Sequence, residues 1–438
     1  MEKIIGQIVR NSDFQLGEDE IKEKVKHYID EIKEKRYDFS SSSKEIYTQG
    51  KKKRVIYSFN SDSTESVICK YLKKRLDYTF HIKYPSRNKI INSLFSILPV
   101  IKDLNDFVII RADFKSFFDS IIAKYIYVQY LEQSALSRKD KRLFEEYVEN
   151  FKYCYAGLCL SNVMTEIVCR DFDKNLRAKL ETYGVVYCER YVDDILIILN
   201  SYISDEDVKK LIYESISEIF GNCPVRLNER KYRYICKRGI SSSQEFDFLG
   251  YNFTMNYNTA TKKLSFLFGI TEKKRQKYYN RFKKVFCEYA KDHNLELFRQ
   301  RIKILSTRVV ITKELGRESF QWVTKGVIAN YNELRNYLDY LDSNTEQFLK
   351  NVYLNLITET GIAMPGFFAD SLIGESVYNL FSTLKRNRST IYDNRIGIKL
   401  NDLVSMIKKI NPSYYCGTKN YLQIVYEYLE LLKIEQRY

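Results

Sequence analysis

Residues 185–199 read VVYCERYVDDILIIL, in which two apolar runs, 185–187 and 195–199, bracket a polar centre of Glu189, Arg190, Tyr191, Val192, Asp193 and Asp194. Short β-branched or aliphatic runs on either side of turn-forming acids predict a β-hairpin with its carboxylates at the bend. Upstream, the apolar run 107–110 is short enough for a buried strand and leads into Arg111, Ala112 and Asp113, within the stretch RADFKSFFDSI at 111–121. A lone Asp after such a run ordinarily ends a strand or caps a helix, and an Asp-Asp pair is ordinarily a turn. Two acidic stations on neighbouring buried strands have a further use. Hard cations such as Mg²⁺ prefer carboxylate oxygens, and two ions roughly 4 Å apart activate an attacking 3′ hydroxyl and stabilise a leaving pyrophosphate. Asp113, Asp193 and Asp194 are therefore candidate metal ligands.

Around these strands the pattern is helical. Ser204 with Asp207 has the spacing of a capping box, Val208, Leu211, Ile212, Ile216 and Ile219 follow at helical spacing, and Gly221 and Pro224 mark the end. After about residue 270 the chain reads as almost wholly helical. Val352 and Leu356 lie in a helix ending at Gly361, and Leu422, Val425, Leu429 and Leu432 in another.

Composition narrows the function classes. The 438 residues are 45% hydrophobic and 29% charged, ordinary for a globular chain of two or three domains. No run approaches the roughly 18 apolar residues of a membrane span, and the first residues lack a secretory pattern, so the expected place is the cytoplasm, without a membrane partner. Nine cysteines without a Cys-x-x-Cys pair, and three scattered histidines, His27, His81 and His293, argue against zinc and for reduced thiols. A net charge of +15 favours polyanionic partners. Tyrosines among cations, as in Lys273, Lys274, Arg275, Lys277, Tyr278, Tyr279 and Arg281, suit base stacking beside phosphate contacts, or simply the covering of a helix surface.

The joint pattern resembles the reverse transcriptase family. Tyr191, Val192, Asp193 and Asp194 match its YxDD motif, and RADFKSFFDSI at 111–121 resembles its first catalytic motif. The resemblance implies that Asp113, Asp193 and Asp194, with the backbone carbonyl of Phe114, hold two Mg²⁺ ions, with Mn²⁺ as a substitute. It also implies that Phe118 is the aromatic gate against a 2′ hydroxyl, which selects dNTPs. Gly157, Leu158, Ser161 and Asn162 resemble the loop and helix that support template and nucleotide. Leu227, Asn228 and Lys231 resemble the motif whose lysine protonates pyrophosphate. Phe248, Leu249, Gly250 and Tyr251 resemble the primer-grip turn.

Lys51, Lys52, Lys53 and Arg54 precede the strand-like Val55, Ile56 and Tyr57. Here Arg54, with its rigid fork, is the candidate for the triphosphate, against the plainer reading of a solvated charge run. Tyr84, Pro85, Ser86, Arg87 and Asn88 resemble a segment of the phage-defence branch, with Arg87 gripping nucleic acid. Taken together, the implied fold is α+β. Right-hand fingers and palm, with an antiparallel palm sheet, occupy residues 1–265, and an all-α, helical repeat-like domain occupies 266–438.

One departure matters. Where the family carries Gly-x-Pro-Gln-Gly, this chain has Tyr153, Cys154, Tyr155, Ala156 and Gly157, and losing the glutamine amide removes a polar contact beside the nascent pair. With the helical remainder, this most resembles abortive-infection and related defence reverse transcriptases. That points to antiphage DNA synthesis without a template and primed from a protein hydroxyl, in a homo-oligomer whose partners are dNTPs and a DNA product. A conventional enzyme using an RNA template, and a non-catalytic nucleic-acid-binding scaffold, are the alternatives.

Overall fold

The computed structural model describes residues 1–12, 16–49, 52–314, 320–369 and 378–434; for residues 47, 49, 52–54, 312–314, 320–322 and 369 it describes the backbone alone. The chain divides into two compact units, Met1–Ser241 and Ser242–Tyr438.

In the first unit, β1 (Ser43–Gln49) and β2 (Lys52–Ser58) form an antiparallel ribbon. A separate sheet is built from β3 (Val108–Asp113), β4 (Val185–Tyr191), β5 (Asp194–Leu199) and β6 (Arg233–Cys236), in the order β4-β5-β3-β6. All its pairings are antiparallel. The strands fall where the short apolar runs place them. Val108, Ile110, Ala112 and Phe114 alternate into the core with Ile195, Ile197 and Leu199 of β5. The period of two therefore turns Arg111, Asp113 and Asp194 to the opposite face of the sheet.

Two helices, Cys159–Leu180 and Asp205–Phe220, contribute Val163, Ile167, Phe172, Ile212, Ile216 and Phe220 to the same core. The Phe114 ring meets Phe172 and Phe220 at centroid distances of 5.4 and 5.9 Å, which seats the residue after Asp113 firmly. The second helix begins and ends as its sequence indicates. The Ser204 hydroxyl accepts from the Asp207 N–H at 3.1 Å, and Gly221, at φ 53°, terminates it.

In the second unit, β7 (Gln244–Phe248), β8 (Tyr251–Asn258) and β9 (Lys263–Ile270) make a three-stranded antiparallel meander. The helices Glu272–Asp292, Leu295–Ser306, Ser343–Thr360 and Tyr421–Leu431 follow. The expectation of an all-α region after residue 266 is corrected here. β10 (Arg308–Glu314) pairs antiparallel with β11 (Phe320–Lys325) and parallel with β12 (Ser389–Tyr392). The reason lies in Val309, Val310, Ile311 and Thr312, a β-branched run that loses side-chain freedom in a helix and packs well on a pleated surface. The meander up to Ile270, assigned from sequence to a first domain ending at 265, packs within this second unit.

Candidate active site

The backbone brings the three acids together. Antiparallel register sets Asp113 of β3 directly opposite Asp194 of β5. On the other side of β5, Asp194 pairs with Tyr191, so the β4–β5 hairpin turns through two residues, Val192 and Asp193. Carboxylate oxygens of Asp113, Asp193 and Asp194 all lie within 4.8 Å of one another. The Phe114 N–H donates to the Asp193 carbonyl at 3.1 Å, and the Asn228 N–H to the Asp113 carbonyl at 2.7 Å. Both acidic stations are thus tied to adjoining backbone.

Their side chains are also held. Asn228 Nδ2 donates to Asp113 Oδ1 at 2.8 Å, and the Lys231 ammonium donates to Asp113 Oδ2. Arg111, only 3% exposed, donates from Nη2 to Asp194 Oδ1 at 2.7 Å and from Nη1 to the Lys231 carbonyl at 3.0 Å. Burial pushes the Asp194 carboxyl up to about 7, with the negative charges of Asp193 and Asp113 adding to the rise; Arg111 and Lys231 act against it. A carboxyl that resists ionisation beside two further acids suits a divalent cation, and an all-oxygen donor set suits a hard one. The residues therefore fit the metal pair that the sequence reading assigns to them.

The other expected site residues fall into several environments. Lys231, expected at a leaving pyrophosphate, is the ion-pair partner of Asp113. Phe118 is half-buried on the one-turn helix Phe117–Ser120, its ring 5.5 Å from that of Phe117. Gly157, at φ 100°, lies so close to β2 that an added Cβ would stand 2.3 Å from the Tyr57 carbonyl oxygen, so only glycine fits. The Ala156 carbonyl accepts from the Tyr57 N–H at 2.9 Å. Ser161, expected at nucleic acid, is 1% exposed and donates to the Tyr155 carbonyl at 2.6 Å, so its hydroxyl fixes the loop from inside.

Asn162 beside it is exposed. Arg87 is the first residue of the helix Arg87–Ile101 and half-buried. The backbone of Arg54 pairs with Tyr47 across the β1–β2 ribbon; its side chain, and Lys51 altogether, lie outside the described residues. Leu249 and Gly250 form the two-residue turn between β7 and β8 in the second unit, at φ 50° and 86°. Arg111 escaped the sequence reading as a functional residue. Its position two residues before Asp113, on the same strand face, was the available signal.

These features have a counterpart among known proteins. Residues 48–253 match the reverse transcriptase (RNA-dependent DNA polymerase) family. Over this segment the chain is similar to reverse transcriptase domains. The segment takes in β3, the β4–β5 hairpin and the β7–β8 turn, so all three acids lie inside it. No curated protein matches the chain. Among the described residues no helix is long and apolar enough to cross a membrane.

Proposed function

We propose that the chain is a DNA polymerase of antiphage defence whose reverse transcriptase domain adds dNTPs by two-metal catalysis, without a template and from a protein primer. The convergence of Asp113, Asp193 and Asp194 within 4.8 Å carries the catalytic part of this reading. In it the four-stranded sheet is the palm, and the three acids, with the Phe114 carbonyl, hold two Mg²⁺ ions. When bound, such ions supply Lewis-acid activation of a 3′ hydroxyl and offset charge on the leaving pyrophosphate. Arg111 keeps Asp194 aimed at the site, and Asn228 and Lys231 do the same for Asp113. Phe118 stands as the gate that excludes a 2′ hydroxyl.

The untemplated reading draws on the loop 153–157. Where the family has proline and glutamine, Tyr155 stacks on Tyr57 at 4.3 Å and Ala156 brings no polar side chain. The defence reading draws on the resemblance of residues 84–88.

Purified protein given single dNTPs, Mg²⁺ and no template is expected to make DNA that stays with the protein through denaturation and is freed by protease. Product only on an added RNA template would support the conventional enzyme, which the family match itself favours. If a variant with Asp193 and Asp194 both replaced by Ala keeps the biological effect, the chain is a scaffold and not a polymerase.

A further inference from the structure

Val192 sits at φ 60°, in the left-handed region, where a β-branched side chain is an outlier. Backbone strain of this kind persists only when its surroundings over-determine it. Two peptide groups flank the Asp193 Cα, and a hydrogen bond grips the carbonyl of each. The Asp193 carbonyl accepts from the Phe114 N–H at 3.1 Å, and the Val192 carbonyl accepts from Arg190 Nη1, also at 3.1 Å.

Arg190 is itself clamped. It is 5% exposed on β4, beneath the turn. Glu166 and Asp173, seven residues apart and so on one face of the helix Cys159–Leu180, both reach it. Nη1 and Nη2 donate to the two Glu166 oxygens at 3.2 and 2.8 Å. Nε and Nη2 donate to Asp173 Oδ1 and Oδ2, each at 2.9 Å. With the bond to Val192, all five guanidinium N–H groups have an acceptor, an arrangement that the three donors of a lysine cannot reproduce.

Burying an arginine against partly exposed carboxylates is a poor route to stability, because the cost of desolvating the guanidinium offsets most of the attraction. The best-attested use of such a cluster is to fix one geometry, and here the geometry it ends on is the carbonyl beside Asp193. We infer that Arg190 is a positioning residue, which Glu166 and Asp173 orient so that it holds the strained Val192–Asp193 turn in its metal-binding form. The inference rests on the reading of that turn as a metal site.

The test is Arg190→Lys, measured by Mn²⁺-induced thermal stabilisation and by dNTP incorporation in parallel. Losing a charged hydrogen bond to the turn is expected to raise the half-saturating Mn²⁺ concentration and lower kcat, each by roughly tenfold or more, with KM for dNTP changed less than about twofold. Glu166→Gln, which keeps an acceptor and removes one charge, is expected to shift both in the same direction by less, and serves if the lysine variant does not fold. Placing Val192→Gly under Arg190→Lys should shrink the defect, since glycine adopts the turn without being held.

A variant that melts earlier but keeps the wild-type Mn²⁺ response would overturn the inference and leave Arg190 a structural ion pair. So would a defect undiminished by Val192→Gly. A wild-type protein that responds to Mn²⁺ yet incorporates no dNTP would sink the polymerase reading while the clamp is still tested by its Mn²⁺ response.

Discussion

The β4–β5 and β7–β8 hairpins each turn through two residues, and they differ in which of those residues take the left-handed conformation. Between β7 and β8, Leu249 and Gly250 both take positive φ, and the glycine at the second position needs no outside help to do so. Between β4 and β5 the turn residues are Val192 and Asp193, neither of them glycine, and Val192 alone is at positive φ. In the first turn glycine supplies one of the two positive φ values at no steric cost, and its carbonyl accepts from the Thr271 N–H at 3.2 Å. The second is held by hydrogen bonds from Phe114 and Arg190, with Asp193 at the tip of the acidic cluster. Local rules are broken where function needs them broken, and neighbouring groups supply what the turn lacks.

Asp193→Ala is expected to cut dNTP incorporation by roughly a thousandfold, the scale of losing a metal ligand that stabilises transition-state charge, while the melting temperature changes little. Initial rates beside thermal melts check this; a residual rate within tenfold of wild type would break the contrast.

Gly250→Ala comes next. Its φ of 86° and a Cβ only 3.2 Å from the Tyr331 hydroxyl should cost about 2 kcal/mol in urea unfolding, with little to be lost if the turn relaxes freely.

The third effect is one of pH. Asp194 titrates near 7 rather than at its ordinary 3.8, so between those values the folded protein keeps a proton that the unfolded chain releases. Its contribution to stability is present below 3.8 and lost as pH rises through 7. A metal ion competes with that proton. Mn²⁺ affinity should therefore rise by up to about tenfold per pH unit from 5 to 7 and level off above, as titration calorimetry would show. An affinity flat from pH 5 to 8 would place the proton elsewhere.

Smallest is Val192→Gly in the otherwise native chain, where relief of strain and the entropy of glycine oppose each other. A net gain of no more than about 1 kcal/mol is expected.

Much of this site was legible in the sequence, for a physical reason. Strand 108–113, the 185–199 hairpin and the helix Asp205–Phe220 each carry a periodicity, a turn or a cap that acts over a few residues, and each forms where it was read. Asp113, Asp193 and Asp194 meet because apolar runs force their strands into one sheet. What the sequence hid depends on register and on distant partners. Arg111 is an unremarked strand residue until β3 and β5 pair and Asp194 comes opposite Asp113.

Arg190 likewise gains meaning only once Glu166 and Asp173 pack against it. Ser161 carries a family motif, yet its hydroxyl turns inward to the Tyr155 carbonyl. The strands β10 and β11 were missed because helical spacing on both sides outweighed one β-branched run.

Anomalous scattering from crystals of the protein with Mn²⁺ and a dNTP would locate the metal ions. Mn²⁺ is expected on oxygens of Asp113, Asp193 and Asp194 together, with the nucleotide phosphates on the same ions. Mn²⁺ bound elsewhere, with Lys231 still on Asp113 and no metal between β3 and the 192–193 turn, would contradict that expectation.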